Sequence, residues 1–527
     1  MSETLSIFFD RFKGIRTKNP ITNISDGEMS AFNMENVELN FSKKGDAVGI
    51  YSMLGNASLS EIAGKKIIKM WQSVQNGKTY LIAYAVDDIK GYLYNVDTST
   101  YNFEILYESL SKSDVANGIT VAQGFYDYFF FTNGIDTPIA VRIEANPKCT
   151  VINATDYEGR QIRGLGLESY DGRLVLTSKN RVHWSKQGDI FNWSDLSGNL
   201  TDSAYQELDR DIKAIIYFNN SLIAFTSDYS VSYLGNPADA VNFKKSGATG
   251  GGCSSFNSVV RIDNKLFYYD HLARNLFSYY LYDNGQIRPS NGFADEVQIF
   301  FNELDEQRIN ELAIIPLIFK DKNEIWFKIP TKDGKCHLLI LDYLKGEWLK
   351  RNGDDFNHAI IFNNEVISIR KNKILKEYIK ETFDGIFKPS IYEFNILNIG
   401  SDVSKKIMKG SIYLTLDAAF HNDFYVELMF DDNIEKTKIK RISKKFGENA
   451  MFFTDEDADI SYGYFVDDDL DLSGKEMIDE SSYDVIAKIS GITPFRQLKL
   501  RFFTKEAPQT FAIKRIEFSK IKVKKAK

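Results

Sequence analysis

A short phrase recurs through the middle of this chain and limits what it can become: an apolar run, a polar turn of two to four residues, and a second apolar run. Four copies nearly superimpose, at residues 215–226, 259–269, 317–329 and 360–369, with Asn219-Asn220-Ser221, Asp263-Asn264, residues 320–323 and Asn363-Asn364 at their turns. Asn and Asp tolerate the positive φ that tight hairpins demand. Looser copies turn at Asn76-Gly77, Tyr126-Asp127 and Asp171-Gly172. The second runs of the seven copies begin at 78, 128, 173, 222, 265, 324 and 365, which spaces them by 50, 45, 49, 43, 59 and 41 residues. A period of that size is one four-stranded propeller blade. Further strands fit between the hairpins, at 91–96 and 103–107, and again at 338–342 and 347–350.

One small sheet cannot bury both of its faces, whereas blades packed radially bury both and leave only short edges. The expected fold is therefore all-β. It comprises an N-terminal platform segment over 1–61, a β-propeller of six or seven blades over 62–375, and a C-terminal β-sandwich or barrel over 376–527 with a short basic tail read as a solvated end. Ordinary hairpins in two stacked sandwiches satisfy the same periodicity. The expected core is Leu174, Leu176, Leu222, Ala224, Leu266, Tyr268, Ile325, Phe327 and Ile367. A short run through Met34 reads as a helical turn, and 411–417, 424–430, 437–441, 497–503 and 511–518 read as long strands. The 39 Phe and 28 Tyr suit pleated surfaces.

Few residues carry a chemical signature. Cys149, Cys253 and Cys336 lie far apart with no C-x-x-C spacing, which argues against a disulfide framework and a zinc site and fits synthesis in a reducing compartment. The N-terminus lacks a basic stretch followed by an apolar core, and no apolar run approaches the roughly 18 residues that span a bilayer. A soluble chain made in the cytoplasm is expected. With 72 acidic against 65 basic residues, there is no electrostatic case for clamping nucleic acid. The cluster from Gly247 to Ser254 lacks the Gly-Lys-Ser/Thr ending of a phosphate loop, and Cys253 has no activating neighbour in sequence. No nucleophile elbow, zincin pair or dinucleotide fingerprint occurs, so no catalytic or cofactor-binding residues are assigned.

The most specific local pattern is acidic. Asp469, Asp471 and Ser473 at positions one, three and five, Gly474 at six and Glu480 at twelve have the spacing of a calcium loop. Glu476 stands where an apolar residue is usual, and a solvated acidic loop has the same composition. Calcium is therefore the single cofactor under consideration.

Residues 171–195 contain one complete hairpin and two Trp-Ser pairs, Trp184-Ser185 and Trp193-Ser194. Together with residues 14–33 around Asp26-Gly27-Glu28, and residues 247–258 followed by Val259-Val260 and Lys265-Leu266-Phe267-Tyr268, this segment resembles the tail nozzle, or tail hub, proteins of short-tailed bacteriophages. That group includes the packaged-DNA stabilisation proteins and the second tail tubular proteins. The resemblance touches residues 10 to about 290 and thins beyond. It implies a propeller carried on a platform, assembled as a homohexameric ring in the virion tail below the portal and its adaptor. Such a ring extends the channel, retains packaged double-stranded DNA and conducts it during ejection. The family brings no catalytic residues, and this chain is short for a nozzle. A carbohydrate-binding tail adhesin and a propeller glycosidase or lyase are the alternatives from other classes.

Overall fold

The structure is a computed structural model that describes residues 3–17, 22–23, 28–41, 47–121, 127–281, 287–289, 292–319, 322–380, 382–397, 405–417, 422–430, 433–444, 451–454, 484–489, 497–506 and 509–525. It is almost entirely β. The chain divides into two compact units, one of residues 58–339 and 353–377, the other of residues 1–57, 340–352 and 378–527.

The central repeat becomes a series of antiparallel sheets, seven of four strands each among the described residues. Their second strands are Lys78–Val86, Tyr128–Thr132, Arg173–Ser178, Ser221–Phe225, Lys265–Asp270, Lys322–Pro330 and Glu365–Arg370. In the first, third, fourth, fifth and seventh sheets the second strand follows the first through a two-residue turn, and the turn chemistry is visible in the backbone. Asn76-Gly77, Asp171-Gly172, Asn219-Asn220 and Asn363-Asn364 all have φ between 49° and 73°. Positive φ at both central residues matches the right-handed twist of the flanking strands. The first six sheets use consecutive strands. The seventh joins Phe356–Phe362, Glu365–Arg370 and Lys373–Glu377 to Asn56–Glu61 from far upstream.

The first strands form a series. Each of Lys66–Gln75, Asn117–Val121, Gly166–Tyr170, Ala214–Phe218, Val259–Ile262, Ala313–Phe319 and Phe356–Phe362 lies beside the next, and the last lies beside the first. The second strands are buried on both faces. In the first sheet Leu81, Ala83 and Ala85 pack with Ile367 and Ile369 of the seventh, while Ile82 and Tyr84 pack with Phe129 and Phe131 of the second. Leu174 and Leu176 face the second sheet, and Val175 faces Leu222 and Ala224 of the fourth. Ile223 and Phe225 turn the other way, onto Leu266 and Tyr268 of the fifth. All nine expected core residues are buried, as are their strand neighbours Val175, Ile223 and Trp326. Simple alternation understates the core, because each of the first four sheets packs against another sheet on both faces. At about 2 kcal/mol for each large apolar side chain removed from water, both faces contribute.

In the other unit the two ends of the chain meet in shared sheets. Glu3–Phe9 and Lys405–Asp417 both pair antiparallel with Ala512–Lys525, and Ala47–Ser52 extends the same sheet. Asn33–Glu35 pairs with Ile391–Leu397 in a second sheet that also holds Asp423–Phe430 and Gln497–Phe503. Phe9 meets Phe518 edge to face at 6.2 Å, and Phe12 meets Tyr392 at 6.3 Å. Three expectations are thereby corrected. The N-terminal segment and the C-terminal domain share one unit, because strands from both pair in common sheets. The run through Met34 is strand, since pairing with Tyr392 satisfies its backbone. The basic end continues as strand to Lys525, paired with residues 3–9 and 405–416, rather than ending as a solvated tail.

Candidate functional site

Asp469, Asp471, Ser473 and Glu480 lie outside the described residues. The glycine cluster has a structural explanation. Lys244–Gly250 is the fourth strand of its sheet, Gly251 has φ +113°, and a Cβ on Gly252 would lie 2.1 Å from the Ser227 carbonyl carbon. Glycine is required there by close backbone approach, not by a phosphate. Cys253 beside it is fully buried, its Sγ 3.7 Å from the Ser255 carbonyl, and burial pushes its thiol far above the ordinary range. A protonated thiol is a poor nucleophile. Burial likewise raises Cys149, to about 11, and Cys336.

The Trp-Ser segment is held from inside. Trp184 is fully buried, edge to face with Tyr233 at 5.5 Å and Phe243 at 5.8 Å. Arg173, at 1% exposure, donates to the carbonyls of Ser185 at 2.9 Å, Leu200 at 2.9 Å and Asp202, and to Asn236 Oδ1 at 3.1 Å. A buried guanidinium serves here as the scaffold of a loop of some twenty residues, because its rigid fork meets several carbonyls at once.

The described residues that bring unusual charges together are elsewhere, around a cavity of about 400 Å³ within the seven-sheet unit. The first strands of the first, fifth, sixth and seventh sheets line it, with the turns Phe256–Ser258 and Glu306–Glu311. The first of these turns is shaped by Ser258, whose hydroxyl donates to the Ser255 carbonyl at 2.7 Å and accepts the Ser255 N–H at 2.9 Å. That turn presents Phe256 and Asn257.

Lys69 projects from the first strand of the first sheet. Its Nζ donates to Asn257 Oδ1 at 2.8 Å and lies 5.8 Å from the ring centres of both Trp71 and Phe256. It has no carboxylate partner among the described residues, and burial lowers its pKa to about 8. Lys328 sits in a strand that is otherwise apolar at this point, between Phe327 and Ile329, and is 3.5 Å from Glu311. Burial also lowers its pKa, opposed by the charge of Glu311. Glu311 is already held by Arg308 through two bonds of 2.9 and 2.8 Å. Burial alone would raise its pKa, but the Arg308 hydrogen bonds and the charges of Lys328 and Arg308 bring it down to about 2. The carboxylate is therefore a fixed anion and not a proton donor near neutrality. His358 lines the same cavity with Nδ1 buried and unpartnered. Burial first, then the charges of Lys69 and Lys328, push its pKa well down, so the imidazole is neutral.

Sequence reasoning missed this cluster. Its residues come from three sheets and two turns and are nearly 300 positions apart, and the one local signal was a lysine inside the apolar run IWFKIP.

No family model matches the chain, and no curated protein matches it. Among solved structures it is similar to the computationally designed Ika8 protein, at 12% identity over 62% of this chain and 100% of that one, with a TM-score of 0.35. It is also similar to the N-terminal domain of Nup159, at 9% identity over 65% of this chain and 97% of that one, with a TM-score of 0.34. Likenesses of this size carry no argument about fold or function.

Proposed function

We propose that the seven-sheet unit is a seven-bladed β-propeller, and that the protein is a structural component of a bacteriophage tail, a nozzle or hub ring. The observation that carries this reading is the nesting: seven consecutive four-stranded sheets stand between two chain ends that pair with each other. A propeller is what the nozzle resemblance implies. The cyclic neighbour order of the first strands and the upstream strand completing the seventh sheet support a closed propeller. As a virion protein it would form a homohexamer below the portal adaptor and conduct packaged DNA without gripping it. The acidic balance suits a wall along which a duplex slides. Electron microscopy of the purified protein and of tails provides the test. Six-fold rings are the expected result; a monodisperse monomer that never enters particles would overturn the reading.

A further inference from the structure

Around the cavity, four cations (Lys66, Lys69, Lys328 and Arg308) stand near two carboxylates, Asp114 and Glu311. Arg308 occupies Glu311 through both oxygens, and Lys66 lies 3.8 Å from Asp114. Lys69 has only a neutral amide, and Lys328 is left with a share of an already paired carboxylate. The surplus is two positive charges in a chain whose net charge is −7. A buried cation without a counter-ion is costly, and so is a buried polar atom without a partner, such as His358 Nδ1. Both costs fall if an anion enters.

We propose that this cavity binds a small organic dianion, of the phosphomonoester or dicarboxylate class, with its charged end at Lys69, Lys328 and His358. The volume exceeds what a bare inorganic ion needs, and Ile68, Phe256, Pro316 and Ile360 supply an apolar wall for the rest of the ligand. Two lysines at one end take charge without demanding bidentate geometry, so the site selects on charge and size. Asn257 fixes the Lys69 ammonium in place and has no charge with which to compete for it. The low proton affinity of the free Lys69 amine rises when an anion neutralises the site, so binding above about pH 8 takes up a proton.

The test uses the full chain and follows thermal unfolding at pH 7 with orthophosphate, glycerol phosphate or succinate, each against potassium chloride at equal ionic strength. A stabilisation that saturates with one of these dianions and exceeds that of chloride is expected. Response to glycerol phosphate alone assigns the phosphoryl class, and response to succinate alone assigns the dicarboxylates. In N257D the new carboxylate neutralises Lys69, and in Lys69→Met the charge is lost; both weaken the apparent affinity at least tenfold, while Lys69→Arg retains most of it. If no dianion exceeds chloride, or if N257D and Lys69→Met respond as the parent does, the proposal fails. Should Lys69→Met not fold, N257D and Lys69→Arg decide the matter alone.

Discussion

Arg173 donates through Nη1 to the Ser185 carbonyl at 2.9 Å, which ties the start of one strand to the loop that leaves the next. The same guanidinium reaches the carbonyls of Leu200 and Asp202. Replacing it by methionine keeps much of the volume but leaves several buried carbonyls without donors. Arg173→Met is expected to cost about 3 kcal/mol, measured as the shift of a urea unfolding midpoint. A loss under about 1 kcal/mol would mean that water takes over the bonds.

Lys69 makes the opposite prediction. Its folded pKa of about 8 lies below the ordinary 10.5, so between these values the unfolded chain binds the proton that the folded chain has released. Stability from this group therefore rises as pH climbs from about 8 to 10.5, is lost again as pH falls from 10.5 to about 8, and no longer changes below that. Lys69→Met should unfold at a higher temperature than the parent at pH 7 without added dianion, and the gap should close by about pH 10. A gap that stays the same from pH 7 to pH 10 would show that the ammonium is well solvated.

Two glycines separate strain from collision. Gly77 has φ +73° with open space around it, so Gly77→Ala should cost about 1 kcal/mol of backbone strain. At Gly252 a Cβ would meet the backbone of residues 227–228 at 2.1–2.3 Å. Gly252→Ala should cost about 3 kcal/mol or more, enough to be read as lost soluble yield alongside the denaturant midpoint. Equal effects at the two sites would show that the backbone relaxes around a Cβ at residue 252.

Binding of free duplex DNA should be weak, with Kd in the range of about 10⁻⁴ to 10⁻⁶ M at near-physiological salt, and without sequence preference. Titration of labelled duplex at several salt concentrations gives both quantities. Sub-micromolar, sequence-selective binding would point to a regulator or processing enzyme instead of a conduit.

Much of the seven-sheet unit is legible in the sequence because hairpins are local. Second strands expected at 78, 128, 173, 265 and 365 begin there, and those expected at 222 and 324 begin at Ser221 and Lys322. Asn and Gly at the turns set φ within a few residues, so the signal needs no tertiary partner. Pairing across long separations leaves no such mark. Nothing near Glu3–Phe9 indicates that its partner is Ala512–Lys525, and nothing near Asn56–Glu61 indicates the seventh sheet. The charged cavity stayed hidden for the same reason. Lys69 and Lys328 each read as an isolated strand lysine until the fold brings both to one cavity with His358.

The strand Asn56–Glu61 has a consequence for how the chain is made. Asn372 Nδ2 donates to Glu61 Oε1 at 2.8 Å, a contact that spans 311 positions. At about 5–20 residues per second, the nascent strand leaves the ribosome some 15–60 s before its partner exists. Throughout that interval an open edge is offered to any neighbouring chain on the same message. Translation that stops short of Lys373–Glu377 leaves the early strand permanently unmatched, which makes truncated products of this gene candidates for co-aggregation with the full-length chain.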